Sequence, residues 1–222
     1  MAKFVPLLGE LSGTIGANVW SHNKGGAYVR VRAIPTNPNS DRQASRRAKL
    51  SLASIHWADI TQDQRDAWVA WAATHPGVGP LGETIAWTGH QANVSCNSRL
   101  LLIGSSVISD PPTVDAPAPL ITASTTASEA TQHLSVTYTV SPLAAGVHLV
   151  TWETIPSGVG RDPNFHQARL GEVTAAAAES PADLPSRWVF VEGQTWNVFL
   201  MLIDDATGLA STVLKTRVTS EA

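Results

Sequence analysis

The alternation of apolar and polar residues near the N-terminus predicts β-structure in an extended arm, residues 1–39. In the run 27–34, Tyr28, Arg30 and Arg32 share one face of a strand, and valines occupy the other. A Gly-rich turn precedes this run and predicts a hairpin with the strand before it. Two prolines follow it and end regular structure. Such a hairpin either packs on the rest of the domain or lies across a partner, and the pattern fits both.

Residues 40–108 carry the signals of three helices. Each predicted helix opens with a capping box, in which Ser or Thr is followed three positions later by Gln, at Ser40, Thr61 and Thr88. The second helix is expected to end at His75 and the third at Gly104. Local backbone chemistry therefore predicts a small helical region.

Apolar residues recur at helical spacing in all three segments. The first helix carries an apolar stripe of Ala44, Ala48, Leu52 and Ile55. The third has a face made of Ala92, Cys96, Leu100 and Ile103. The spacing of Trp57, Trp68 and Trp71 predicts that these indoles pack the helices together and do not bind a ligand.

A Pro-rich hinge at residues 110–119 is the predicted domain boundary, and β-type runs follow it. The run 134–140 alternates as a strand with one wet face should, whereas 196–203 is apolar on both faces, so it is central or covered. Strands are predicted at 120–125, 134–140, 147–155, 165–173, 188–191, 195–203 and 209–219.

About seven short strands in roughly 100 residues without a cysteine pair are typical of an immunoglobulin-like or fibronectin-III-like β-sandwich. The predicted fold class is therefore α+β. It has an extended basic arm at 1–39, a helical region at 40–108 and a β-sandwich domain at 112–222.

Charge is distributed unevenly along the chain. Residues 1–50 hold eight Lys or Arg against two Asp or Glu, whereas residues 51–222 hold seven against sixteen. A cationic arm next to an acidic, strand-rich remainder indicates a large anionic partner. The candidate partner-binding residues are Trp20, Lys24, Tyr28, Arg30, Arg32, Arg42, Arg46 and Arg47. They suit an acidic protein surface or nucleic-acid phosphates.

Candidate chemistry is sparse. No nucleophile elbow, phosphate loop or metal-ligand spacing is found in the sequence, so no enzyme activity, metal or cofactor is predicted. The single cysteine, Cys96, is predicted to be a buried residue on a helix and cannot form an intramolecular disulfide. The chain has no apolar run long enough to span a bilayer and no signal peptide is expected, which predicts a protein made in a cytoplasm.

Several segments together resemble a group of uncharacterised tailed-bacteriophage proteins. These segments are Leu11–Gly16, Ser21–Arg32, Pro35–Pro38, Arg42–Arg46 and Thr61–Trp68. The resemblance covers roughly residues 9–104 and implies a component of the virion, without implying catalytic residues.

The predicted function is a non-enzymatic virion structural protein, first of all a capsid decoration or cement protein. Its arm would bridge subunits of the major capsid protein or contact other virion proteins. Decoration proteins sit at symmetry axes, so a homo-oligomer, with a trimer favoured, is expected. Two alternatives stay open, namely a neck or tail component and a nucleic-acid-binding protein that uses the same basic arm.

Overall fold

The computed structural model divides the chain into two compact units, Met1–Ala44 and Ser45–Ala222. The boundary falls within the first turn of helix α1, Asp41–Asp59. The structure describes residues 2–3, 12–23, 26–34, 39–78, 84–139, 141–158 and 160–222. Within them the chain is α+β, with three α-helices and large β-sheets, as the sequence predicted.

The first unit contains a small antiparallel sheet. In the part of the unit that the structure describes, its strands follow the order β1-β4-β3-β2. They are β1 (Ala2–Lys3), β2 (Gly13–Ile15), β3 (Asn18–Asn23) and β4 (Gly26–Val31). Strands β3 and β4 pair antiparallel from Asn18↔Val31 to Asn23↔Gly26, which confirms the predicted hairpin. Its two central turn residues, 24 and 25, lie outside the described residues.

Helices α2 (Gln62–Thr74) and α3 (Gly89–Ile103) start where their capping boxes predict. The Thr61 hydroxyl accepts from the Gln64 backbone N–H at 3.3 Å, and the Gln64 side chain accepts from the Thr61 N–H at 3.0 Å. Thr88 and Gln91 repeat this arrangement at 3.2 and 2.9 Å. Gly104 ends α3 with φ of 86°, in the left-handed region that glycine adopts without strain.

Helix α1 begins at Asp41, directly after Ser40, but the part of the chain that the structure describes does not bury its apolar stripe. Leu52 and Ile55 are 52% and 58% exposed, and in this helix it is Ala53 that is fully buried. The periodicity correctly predicted an apolar face on α1. However, residues outside this predicted face are the ones that contact the neighbouring helices.

The tryptophans of the helices form one cluster, as predicted. Trp68 is completely buried, and Trp57 and Trp71 are half-buried against the same cluster. The Trp68 indole N–H donates to the backbone carbonyl of Ser109 at 2.8 Å, so the buried ring has its polar group satisfied. These side chains hold the helices together.

A two-stranded antiparallel ladder, β5 (Gly77–Val78) with β6 (Thr84–Ile85), lies between α2 and α3. A seven-stranded sheet follows within the described residues, in the order β10-β9-β12-β13-β7-β8-β11. Its strands are β7 (Ala123–Ser128), β8 (His133–Tyr138), β9 (Val147–Glu153), β10 (Arg169–Val173), β11 (Ala182–Pro185), β12 (Thr195–Asp204) and β13 (Leu214–Glu221). A 3₁₀ turn, Phe165–Gln167, precedes β10.

The strand order consists of two antiparallel groups, β10-β9-β12-β13 and β7-β8-β11. They are joined by a short parallel pairing, Ser220↔Ala127 and Glu221↔Ser128. Strand β12 is hydrogen-bonded on both edges and buried on both faces, which confirms that it is central.

Three strand predictions need correction. The predicted strand 209–219 begins later, at Leu214, and runs to Glu221. The run 188–191 is not a strand, and the strand in this region is the preceding Ala182–Pro185. The predicted strand 165–173 begins as the 3₁₀ turn and becomes β10 at Arg169. Apolar residues in 188–191 suggested a strand. Instead, the Gln132 side chain donates to the Phe190 carbonyl and accepts from the Phe190 backbone N–H, so it replaces the hydrogen bonds that a neighbouring strand would make.

The helices and the sheet pack against each other within the second unit. Leu209, in the loop between β12 and β13, belongs to the buried cluster that contains Trp68 and Cys96. Gly208 lies so close to α3 that a side chain there would overlap the Cys96 carbonyl oxygen. The Pro-rich segment 110–119, predicted as a domain boundary, therefore connects two layers that share contacts.

Candidate partner-binding surface

Strand β4 positions the predicted cationic face of the arm. Arg30 and Arg32 are exposed, and Tyr28 is half-buried. Across the hairpin, Tyr28 pairs with Ser21 and Arg30 with Val19, so small or apolar residues lie opposite them on the β3 side. On the other edge of β4, Lys3 pairs with Tyr28. Long basic side chains on such a surface extend their charges into solvent, where they can meet an anionic partner.

Trp20 belongs to the opposite face of the same hairpin. It pairs directly with Val29, and residues directly opposite each other in an antiparallel ladder project to one side. Trp20 and Val29 are both half-buried. The register therefore separates Trp20 from Tyr28 and Arg30, although sequence reasoning had grouped the three.

The remaining predicted residues lie elsewhere or outside the described part. Lys24 is outside the described residues. Arg42, Arg46 and Arg47 lie on α1 and are exposed, but Arg46 and Arg47 belong to the second unit.

A further arginine, which sequence reasoning missed, is half-buried in the second unit. Arg99 on α3 donates to the carbonyl of Gly208 at 3.5 Å. Burial lowers the pKa of Arg99, the nearby Cys96 raises it, and the positive charge of Arg46 lowers it. Arg99 thus connects α3 to the β12–β13 loop. The sequence feature that could have indicated this role is the position of Arg99 within a helix that has an apolar face.

Side chains from all three helices hold the segment 107–110 in place. The Asn97 side-chain amide donates to the Ile108 carbonyl at 3.1 Å, and the Asn97 side-chain oxygen accepts from the Ile108 backbone N–H at 2.7 Å. The Gln64 amide donates to the Asp110 carboxylate at 3.1 Å, and the His56 ring contacts the Ile108 carbonyl at 3.2 Å. Asn97 is fully buried. Sequence reasoning missed it, because a polar residue is buried only where hydrogen bonds satisfy it, and those partners are not visible in the sequence.

A cleft of about 300 Å³ lies beside this segment. Its lining is mostly apolar and comes from α1, α3 and the chain that follows α3, namely Leu52, Ile55, His56, Asp59, Leu101, Ser106 and Val107. The cleft thus runs along the exposed stripe of α1.

One buried carboxylate stands out among the strands. Glu153 on β9 is fully buried and accepts from the Ser186 hydroxyl at 2.7 Å and from the Arg187 backbone N–H at 3.1 Å. Burial raises the pKa of Glu153, while these hydrogen bonds and the charge of Arg187 oppose the rise. The carboxylate fixes the chain between β11 and β12 against β9.

Cys96 is buried on α3, as predicted. Burial raises the pKa of its thiol to about 11, so the neutral thiol dominates near neutral pH. Among the residues that the structure describes, no group of three or more His, Cys, Asp or Glu side chains could bind a metal ion. None of the described helices has the length and apolar character needed to cross a bilayer.

The chain resembles solved structures over part of its length, without matching a known family. No family model matches the chain, and no curated protein matches it. A solved structure, "The crystal structure of a Fn3-like protein from Clostridium thermocellum", is similar over 49% of this chain and 97% of its own. The TM-score is 0.31 and the sequence identity is 11%.

Proposed function

We propose that this chain is a structural protein of a tailed-bacteriophage virion, first of all a capsid decoration or cement protein. The observation that supports the proposal is the division of the chain into two compact units. The basic arm forms a compact unit by itself and exposes Arg30 and Arg32, whereas the helices and large sheet form the other. A protein that bridges capsid subunits needs an attachment arm and a separate surface module. The resemblance of residues 9–104 to phage proteins adds to this support.

The arm is the proposed anchor, with Arg30 and Arg32 pairing with acidic capsid surface. Rim charges of this kind act mainly on the association rate and on its salt dependence. Replacing both arginines by alanine should slow attachment to undecorated capsids, as followed by cosedimentation at several salt concentrations. Arg161, an exposed arginine of the second unit, gives a matched control. Equal slowing by Arg161→Ala would point to a general charge effect and remove the arm from the role of anchor.

Copy number in purified particles tests the virion assignment. Hundreds of copies per particle fit a decoration protein, and about six or twelve fit a ring in the neck or tail. Absence from purified virions rejects the proposal. Deleting residues 1–38 should abolish attachment while the second unit stays folded, as checked by its circular dichroism.

The runner-up function is nucleic-acid binding through the same arm, which the exposed arginines favour. For phosphate binding, the logarithm of the association constant would fall linearly with the logarithm of the salt concentration, with a slope set by the number of phosphates neutralised. A filter-binding titration with duplex DNA at several salt concentrations separates this function from attachment to capsid protein.

For the sheet, we propose a fibronectin-III-like β-sandwich formed by its two strand groups. The main buried cluster supports it, because β8 contributes Leu134 and Val136 while β12 contributes Val198 and Leu200. Methyl–methyl nuclear Overhauser effects between the two pairs are expected in a sandwich. Their absence, with contacts confined to neighbouring strands, would favour a single open sheet.

A further inference from the structure

The loop between β11 and β12, residues 186–194, exposes apolar side chains at one end of the large sheet. Val189 is 87% exposed and Val191 is 52% exposed. Trp188, beside them, is half-buried, and its indole N–H donates to the carbonyl of Glu153 at 3.5 Å. Apolar side chains that are exposed together on one loop are typical of a surface that binds another molecule.

Hydrogen bonds fix the backbone of this loop around its exposed valines. The Gln132 side chain donates to the Phe190 carbonyl and accepts from the Phe190 N–H, both at 3.0 Å. The Val191 N–H donates to the Gln194 side chain at 3.2 Å, and the Val191 carbonyl accepts from the Ser220 hydroxyl. A loop that is ordered in advance loses less conformational entropy on binding. The two valines are therefore displayed in a preformed arrangement.

Three carboxylates lie together beside the valines. The Glu129 carboxylate accepts from the Glu192 backbone N–H at 2.8 Å, and the Glu129 N–H donates to the Glu221 carbonyl at 2.9 Å. Glu192 and Glu221 are exposed, and Glu129 is half-buried. Within the residues that the structure describes, none of the three forms an ion pair with a basic side chain.

Two basic side chains beside this loop bond to other groups. The Arg187 guanidinium donates to the Leu170 carbonyl at 2.8 Å and lies over the Trp188 ring, 5.1 Å from its centroid. Arg217 donates to the Thr195 hydroxyl at 3.4 Å. The side chains that surround the exposed valines are therefore mainly acidic. Carboxylates this close together repel one another and attract a cationic partner.

We propose that the 186–194 loop binds a protein segment in which apolar residues are flanked by Lys or Arg. The apolar residues would cover Val189 and Val191, and the basic residues would meet the three glutamates. Nucleic acid and anionic lipid carry the same sign of charge as this surface, so neither fits it. The inference concerns the second unit, goes beyond the virion role and does not depend on attachment through the arm.

Titration of the ¹⁵N-labelled full chain with three synthetic peptides tests this surface. The first peptide is Lys-Val-Arg-Val-Lys, and its matched controls are Glu-Val-Glu-Val-Glu and Lys-Ser-Arg-Ser-Lys. The first should shift the amide resonances of Val189, Val191 and Glu192 with a dissociation constant of about 1 mM. Each control should bind at least about fivefold more weakly. Raising the salt from about 50 to about 300 mM should weaken the first peptide severalfold.

Variants of the loop separate the apolar contribution from the charged one. Val189→Ser and Glu192→Gln should each raise the dissociation constant severalfold. Ile121→Ser and Glu179→Gln are the matched controls and should leave it unchanged. Both residues are exposed and precede β7 and β11, so they lie at the end of these strands opposite the loop. Thermal melts followed by circular dichroism confirm that each variant is folded.

Three results would overturn the proposal. The first is an absence of shifts in the loop at about 10 mM peptide. The second is equal binding of the acidic peptide, which would remove the charge complementarity. The third is equal binding of the serine peptide together with an unchanged dissociation constant for Val189→Ser, which would remove the valines from the surface.

Discussion

Truncating Trp68 to alanine is the most direct test of how the helical layer is stabilised. The indole is 0% exposed and packs among Ile60, Ala72, Ala92, Cys96 and Leu209. Buried Trp→Ala changes cost about 3–5 kcal/mol, because transfer free energy is lost and a cavity remains. The Ser109 carbonyl also loses the indole N–H donor, which adds about 1 kcal/mol. We therefore expect a loss of about 4–6 kcal/mol in the free energy of unfolding.

Urea unfolding of the full chain, followed by far-ultraviolet circular dichroism, measures this loss. With a slope of about 2 kcal/mol per molar urea, the midpoint should fall by about 2–3 M. If the variant is already unfolded, Trp68→Phe provides a milder change, since it keeps most of the ring volume and removes the donor to Ser109. Its expected cost is about 1–2 kcal/mol.

Trp71→Ala is the matched control, because Trp71 lies on the same helix and is only half-buried. Its ring meets the Trp68 ring edge-on, with 5.7 Å between the ring centroids, and stacks on the His75 ring, with 4.1 Å between the centroids. Its truncation should cost clearly less than that of Trp68. A Trp68→Ala protein within about 1 kcal/mol of wild type, or a larger effect at Trp71, would refute the assignment of Trp68 as the centre of the layer.

Three further predictions concern single positions in the second unit. Gly208→Ala should destabilise the fold by about 2 kcal/mol or more in urea unfolding, because φ is +69° and the new methyl meets the Cys96 carbonyl; wild-type stability would contradict this. Cys96 should react with an aromatic disulfide reagent only after unfolding, because burial raises its pKa to about 11, and rapid labelling of native protein would contradict that. The folded-state pKa of Glu153 is raised above 4.5, so its contribution to stability is greatest below that pH and is lost as pH rises through the folded pKa. Unfolding free energy should therefore fall more steeply with rising pH in wild type than in Glu153→Gln, and equal slopes would refute it.

Much of the local structure could be predicted from the sequence, because its causes are local. The capping boxes at Thr61 and Thr88 and the left-handed glycine at Gly104 depend on residues within one helical turn. The β3–β4 hairpin and the alternating strand β8 follow from periodicity alone. The burial of Trp68 followed from its spacing, since a large apolar ring between helices has few other places to go.

Other features were decided only by the tertiary structure. A period of three to four residues gives α1 an apolar face, but what covers that face depends on where α2 and α3 lie, and Leu52 and Ile55 are exposed. Strand register placed Trp20 on the face opposite Arg30, which no residue near Trp20 determines. The burial of Asn97 and Glu153 also depends on distant partners, Ile108 and Ser186, whose hydrogen bonds offset the cost of removing each polar group from water. Chain neighbours set the conformation of each segment, whereas contacts between residues far apart in the chain decided which side chains this protein buries and which it leaves exposed.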